Sequence, residues 1–390
     1  MERVRIGLIG AGFAADFHAL AYAQIARPAV EVVAVAASHA ASAESFAHKH
    51  GIARWGDDYR EVLADPGIDA VDVCLPNQLH AGVVVEAARS GKHVFCEKPL
   101  TGYFGSGTTP KREMLALALA QADEMLAAAE AAGVKLAYGE NWLHAPAYQK
   151  ASRLALASKG AILEIRAEEA HSGSHASYAK SWRLAGGGSL VRLGSHPLGG
   201  ALALKAREGT LRSGKPIRVR SVLAEVADLS ESALSAGEGR SWLVAGWEDV
   251  ENWATVLLTF EDGTRATISA SDVVLGGMED RLEILLSNSR VRASFARSSL
   301  VEAYAPDASV FADEYLAEKL ETKAGWSFPS VDEQWLLGYP QEMRDFVEAI
   351  ALDREPLGSG RLGRDVVEVM YAAYVSAEEG RRVDLPATFE

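Results

Sequence analysis

The run Val4-Arg-Ile-Gly-Leu-Ile-Gly10-Ala-Gly12-Phe-Ala-Ala15 narrows the possible folds more than any other stretch. A short apolar segment stops at a glycine-rich turn and passes into an alanine-rich, helix-like stretch as far as about Ile25. In a strand–turn–helix setting the GxGxxA spacing has a physical purpose. Gly10 permits the tight turn, Gly12 lets a pyrophosphate approach the backbone, and the small Ala15 lets helix and strand pack closely. Phosphates then meet free N–H groups at the helix N-terminus, so Gly10, Gly12, Phe13 and Ala14 are the expected phosphate contacts.

The alternation continues downstream. Val30–Ala36, Ala70–Leu75, His93–Cys96 and Val134–Tyr138 read as further strands, with Ala40–His50, His80–Ser90 and Pro110–Ala132 as helices between them. Strands alternating with helices give an α/β chain with a parallel, doubly wound sheet, whose ligands lie beyond the strand C-terminal ends. Pro76-Asn77 and Glu97-Lys98-Pro99 fall at two such ends. After the second strand, a carboxylate would hold the ribose of NAD. The chain has Ala36-Ala37-Ser38-His39 there, which leans slightly to NADP with Ser38 and His39 as phosphate contacts.

Bulk properties close off other classes. At 390 residues the chain has room for two domains, and 48% hydrophobic with 24% charged residues is an ordinary globular balance. A net charge of −14 argues against nucleic acid, which needs clustered Lys and Arg. Two cysteines, Cys74 and Cys96, imply no disulfide framework. No apolar run approaches the roughly 20 residues of a membrane span. The N-terminus passes directly into a strand pattern with no secretory segment, so a cytoplasmic protein is expected.

Pro76-Asn77-x-x-His80, Cys96-Glu97-Lys98-Pro99-Leu100, the GGGxLxxxGxH run Gly186–His196 and the ending Ser376–Pro386 occur in one order along the chain. In these features the sequence resembles the Gfo/Idh/MocA family of NAD(P)-dependent oxidoreductases over nearly its whole length. The resemblance implies a Rossmann domain, residues 1–140, that binds NAD or NADP. It further implies a C-terminal α/β domain, residues 141–390, on an open, mainly antiparallel sheet that binds substrate and forms a homodimer or homotetramer. It implies a carbohydrate-like substrate, a sugar or cyclic polyol with a secondary hydroxyl or the matching ketone. Asn77, His80, Glu97 and Lys98 are then expected at the cofactor, with Lys98 and His196 beside the nicotinamide ring and a cis Lys98–Pro99 bond. Where the family commonly carries an aspartate four residues before the histidine, this chain has Arg192.

The second half supports this from its own residues. Ala145–Ser158 reads as a helix and Ile162–Ala170 as a strand. Thr255–Phe260 and Arg265–Ser271 form a hairpin across Glu261-Asp-Gly-Thr264, and Arg281–Leu286 with Val291–Phe295 make a second pair. Ala266, Ile268 and Ala270 alternate with polar neighbours and mark a buried face. Gln341–Leu352 and Arg361–Glu378 are amphipathic. Two segments look added: Thr101–Thr109, a surface loop or a flap carrying Tyr103 and Phe104, and the Ser/Gly/Glu-rich Glu231–Val250, read as an exposed loop or lid. Thr109 followed by Pro110 reads as a helix cap and first helical residue.

Hydride transfer from a secondary alcohol needs a base for the hydroxyl proton and a positive group for the developing alkoxide. His196 suits the first role and Lys98 the second. Tyr103, Asn141, His171, His175 and Arg192 are expected to line the substrate, with Trp142, Tyr178, Trp182 and Arg183 as further candidates. Glu168, Glu169, His171 and His175 carry metal-ligand types, but the implied chemistry needs no metal. Spacing of four puts Arg192 and His196 on one helix face. From there Arg192 would hold an anionic substrate group or pair with Glu168 or Glu169. The alternatives are a glycosidase-like enzyme that retains its cofactor and a non-catalytic nucleotide-binding regulator.

Overall fold

The computed structural model describes residues 3–231, 241–296 and 300–386. They form two compact units, neither contiguous in sequence: Met1–Tyr103, Ala116–His144 and Gly338–Val367 make the first, and Phe104–Leu115, Ala145–Leu337 and Glu368–Glu390 the second.

The first unit holds six parallel strands: β1 (Arg3–Ile9), β2 (Ala29–Ala36), β3 (Arg54–Gly56), β4 (Ala70–Val73), β5 (His93–Glu97) and β6 (Leu136–Gly139). Their order is β3-β2-β1-β4-β5-β6. The order reverses at β1, and the crevice beyond β1 and β4 is where such a sheet takes its ligand. The connections are α1 (Phe13–Ala23), α2 (Ala40–His50), α3 (Tyr59–Ala64), α4 (His80–Arg89) and α5 (Lys111–Ala132). Buried on both faces, β1 and β4 read as near-continuous apolar runs, which is why the sequence revealed them. β3 is a three-residue edge strand, too short to leave a periodic signal, and so the sixth strand was not expected. Met343, Phe346, Val347 and Ile350 of the helix Tyr339–Ala351 pack into the same core as Ile6, Leu8, Ala19 and Phe95. That amphipathic stretch therefore completes the nucleotide-type unit from two hundred residues downstream of its last strand.

The second unit begins its ordered elements with α6 (Pro146–Ala157), β7 (Ile162–Ala170), α7 (Trp182–Ala185), α8 (Ser189–Arg192), α9 (Ser195–Ser213) and β8 (Val219–Ala227). After these come β9 (Trp253–Phe260), β10 (Arg265–Ser271), β11 (Glu279–Leu286), β12 (Arg290–Ser294), a small pair β13 (Ala303–Ala305) and β14 (Gly325–Ser327), and β15 (Val383–Asp384). The large sheet runs β12-β11-β7-β10-β9-β8-β15, with β7 and β10 parallel and every other pair antiparallel. Both expected hairpins are present, and Ala266, Ile268 and Ala270 are buried as their alternation requires. β8 was not foreseen, because only Ser221 and Val222 of its nine residues are fully inside and no clean alternation results.

Two local expectations need correction. The carbonyl of Pro110 accepts the Met114 N–H at 3.1 Å, so Pro110 itself is the cap, one residue later than Thr109. The next N–H, that of Lys111, donates to the Glu378 carboxylate at 3.0 Å. Arg192 and His196 do not share a regular helix: Arg192 ends α8, His196 is the second residue of α9, and Leu193-Gly194 lies between them.

Candidate active site

At the glycine turn, Gly10 has φ +117°, and a Cβ there would lie 2.1 Å from the Cys74 carbonyl oxygen, so only glycine fits. Its N–H donates to Ala36 at 2.8 Å. Gly12 caps α1 in an extended conformation with nothing within 4 Å of an added Cβ. That leaves room beside the start of α1, where the orphan first-turn N–H groups would meet a pyrophosphate. Phe13 is 67% exposed, and Ala14 is half-buried beside it. Ser38 and His39 are exposed at the start of α2, where His39 caps without a side-chain bond.

Beyond β4, Pro76 is exposed, and Asn77 is buried at the head of a single 3₁₀ turn. His80, expected at the cofactor, is instead enclosed: Nδ1 lies 2.9 Å from the Pro99 carbonyl and Nε2 2.9 Å from that of Leu75. Burial holds its pKa down against the pull of the two carbonyls, and the ring lies between the end of β4 and the Glu97-Lys98-Pro99 segment. Lys98 is half-buried just past β5, and its bond to Pro99 is cis. The Glu97 carboxylate accepts the Lys98 N–H at 2.8 Å. Thr101, fully buried, donates to Gln121 at 2.9 Å, and Tyr103 is half-buried after it. Asn141 is buried at the start of a 3₁₀ turn beyond β6.

On the core side of Glu97 lies a group that no local motif announces. His18, Asp72 and Cys74 have potential ligand atoms all within 4.8 Å of one another. Their contacts are hydrogen bonds: His18 Nδ1 to Asp72 at 2.9 Å, and the Cys74 thiol to Asp72 at 3.3 Å. Glu342, on the helix Tyr339–Ala351, is buried against this group with neither carboxylate oxygen hydrogen-bonded. Burial and the nearby Glu97 raise its pKa well above the ordinary value, so the native state holds it protonated. A raised folded pKa for an acid costs stability as pH climbs through the unfolded value of about 4.3 toward the folded one. Glu342→Gln is expected to match the parent in urea unfolding near pH 4 and to exceed it at pH 8.

In the second unit the run Gly186–His196 is held by a distant carboxylate. Glu251, buried, accepts the N–H of Gly188 at 3.0 Å, the N–H of Leu190 at 2.9 Å and the Tyr374 hydroxyl at 2.8 Å. It thereby satisfies orphan donors at the start of α8. A Cβ on Gly188 would sit 1.8 Å from the Glu251 carbonyl oxygen, which explains the third glycine. Glu251→Ala strands the buried Leu190 N–H and leaves the Gly188 N–H only the Tyr374 hydroxyl at 3.3 Å, and urea titration is expected to show a loss of about 3 kcal/mol.

Arg192 is 7% exposed, and its Nη2 pairs with Asp272, which follows β10 and is fully buried. Asp272, a carboxylate that the sequence did not point to, reaches Arg192 because α8 lies over β10 and the strand delivers it at its end. The Arg192 guanidinium also lies 5.2 Å from the Trp247 ring centre. Burial pushes the Asp272 carboxyl up, against the pull of Arg192 and Lys319. His171 is buried, and its Nδ1 accepts the Gly173 N–H at 2.9 Å, which leaves the proton on Nε2. Asp272 Oδ1 is 3.6 Å from the same Nδ1. His196 is buried, with its N–H donating to Leu193 at 3.2 Å. His175 is exposed and Tyr178 is 47% exposed, so neither shares the enclosed setting of His171 and Arg192.

Trp182 is buried 4.8 Å from the Tyr374 ring, with Lys111 over its face at 4.3 Å, while Arg183 points outward. Phe104 packs on Gly186 and Lys111 Nζ holds the Gly107 carbonyl at 2.7 Å, so residues 104–111 are docked on the second unit. Within Glu231–Val250, residues 232–240 lie outside the described residues; Trp242 is exposed, and Trp247 joins Arg192.

Comparison with known proteins fits both halves. Residues 4–140 match the model of an oxidoreductase family with an NAD-binding Rossmann fold, and residues 158–385 match that family's C-terminal alpha/beta domain. The chain belongs to the Gfo/Idh/MocA family. As a Gfo/Idh/MocA protein it is an NAD(P)-dependent oxidoreductase. It is 25% identical over 393 residues to the uncharacterized oxidoreductase YrbE of Bacillus subtilis, covering 99% of this chain and 98% of that one. It is 25% identical over 382 residues to the myo-inositol 2-dehydrogenase of Thermotoga maritima, covering 98% of each. Among solved structures it resembles GenD2 from gentamicin A biosynthesis in complex with NAD, with 27% identity, a TM-score of 0.81, and coverage of 99% and 97%. No helix among the described residues of this Gfo/Idh/MocA chain is long and apolar enough to cross a membrane.

Proposed function

We propose that this oxidoreductase interconverts a secondary hydroxyl and its ketone on an uncharged sugar or cyclic polyol. The observation that carries the reading is the Arg192–Asp272 pair: the one charge that pointed to an anionic substrate is matched by a buried carboxylate. A cation already paired this way has little attraction left for a substrate carboxylate or phosphate. The myo-inositol dehydrogenase relative supports the same substrate class.

When bound, the nicotinamide supplies the hydride acceptor or donor. Gly10 and Gly12 cradle the pyrophosphate against the start of α1, and Phe13, Ala14, Pro76 and Asn77 border it. His196 takes the proton of the reacting hydroxyl, and the Lys98 ammonium stabilises the alkoxide oxygen as charge develops there. Arg192 and His171 fix the orientation of the neighbouring hydroxyls, with Tyr103 and Asn141 completing the contacts. Exposed Ser38 and His39, with no carboxylate beside them before Glu44, favour NADP over NAD by a small margin.

The test is a panel of inositols, aldoses, anhydrosugars and glycosides, with matching uronic acids and sugar phosphates, each run with NAD⁺ and with NADP⁺. Growth of reduced-nicotinamide absorbance with neutral polyols or sugars is expected, with kcat/KM about 100-fold above the acids, or roughly 2.7 kcal/mol of discrimination. Turnover of acids alone would overturn the substrate class. Glycoside cleavage with no net reduced cofactor would favour a cofactor-retaining hydrolase, and tight nucleotide binding without turnover a regulator.

A further inference from the structure

His18 sits in α1 on the side facing the core, and its ring is fully buried. Each ring nitrogen faces a carboxylate: Nδ1 is 2.9 Å from Asp72 on β4, and Nε2 is 3.1 Å from Glu97 on β5. Carboxylates accept and do not donate, so the ring satisfies both only when both nitrogens carry protons. Glu97 uses its other oxygen to accept the backbone N–H of Lys98 at 2.8 Å. A continuous line therefore runs Asp72–His18–Glu97–Lys98 from the centre of the sheet to its C-terminal edge.

The groups around the ring agree with this charge arrangement. On α1, Tyr22 is buried and held neutral, chiefly by burial. Just past β4, burial pushes the Cys74 thiol up so that it stays protonated, and it donates to Asp72 at 3.3 Å. On the helix Tyr339–Ala351, Glu342 is also protonated. What remains charged is Asp72, Glu97 and the ring between them. Burial by itself would lower the His18 pKa, but the Asp72 carboxylate beside it works the other way, and the pKa stands well above the ordinary value. Burial likewise works against Glu97, yet the bond from His18 holds its carboxyl below the usual range.

We propose that His18 is a positioning residue for Lys98: as a buried imidazolium clamped by Asp72, it fixes the Glu97 carboxylate that fixes the Lys98 backbone. The inference rests on Lys98 acting at the reacting oxygen. His18 touches no substrate and acts only through Glu97. The consequence is a pair of roles for the run Glu97-Lys98-Pro99 in this chain: the lysine reacts, and the glutamate transmits the support of the core.

Two measurements test it on the full-length protein. Histidine-selective ¹⁵N NMR, with the His18 signals assigned by their loss in His18→Gln, is expected to show both ring nitrogens protonated from pH 6 to pH 8.5. Asp72→Asn keeps the shape but removes one carboxylate, so His18 is expected to lose its second proton within that range. With that loss kcat should fall about 10-fold to 100-fold and its pH profile should shift to follow the ring. KM for the polyol and Kd for the reduced cofactor should stay within about twofold. A neutral His18 at pH 7 in the parent protein overturns the proposal, even if Asp72→Asn fails to fold. A deprotonated ring in Asp72→Asn with unchanged kcat and pH profile overturns it as well. If instead Lys98→Met keeps its turnover, the failure lies with the role of Lys98, because the NMR result stands apart from activity.

Discussion

Replacing Lys98 with methionine is expected to lower kcat by about 1,000-fold or more while the dissociation constant for reduced nicotinamide changes by less than about threefold. A factor of that size corresponds to about 4 kcal/mol of transition-state stabilisation, the amount a preformed positive group supplies to an alkoxide in an enclosed site. Lys98 stands just past β5, where its backbone is held by Glu97 and its neighbour Pro99 by His80, so the side chain can be changed without loosening its surroundings. Methionine keeps the length and apolar stem and removes only the charge. Stopped-flow absorbance gives the rate, and fluorescence titration gives the cofactor affinity. Turnover within tenfold of the parent would remove Lys98 from the chemistry.

The second large effect concerns folding. Asp272→Ala is expected to destabilise the protein by about 3–5 kcal/mol in urea unfolding, because it removes a buried carboxylate paired with the buried Arg192. The reverse arrangement separates two explanations. Arg192→Met combined with Asp272→Leu replaces the pair by apolar groups of similar size, and it is expected to recover most of that loss. If the double variant is no more stable than Asp272→Ala alone, the cost comes from the packing of Asp272 and not from the broken pair. The double variant should still be impaired in turnover, since it removes the group that orients the substrate.

The sequence by itself determined the nucleotide-type half almost completely. Gly10, Gly12 and Ala15 announce the turn because a local backbone constraint selects their size, and strands such as β1 and β4 announce themselves because burial on both faces demands apolar runs. Lys98 and His196 stand out as candidates for a similar reason: each lies in a short glycine- or proline-marked segment whose shape the chain fixes over a few residues.

Only the tertiary structure decided what surrounds those residues. Arg192 meets Asp272 80 residues away, Leu190 meets Glu251 61 residues away, and His18 meets Asp72 54 residues away. No periodicity or spacing links such pairs, because the partner is chosen by which strand lies beneath which helix. The same cause reassigned His80, whose ring closes onto two backbone carbonyls that only the folded sheet brings to it. It also gave the arginine in Gly186–His196 a buried carboxylate partner, Asp272, which its sequence neighbourhood did not suggest. Local sequence encodes where the backbone must turn, and the crossing of distant elements encodes which charge each buried group meets.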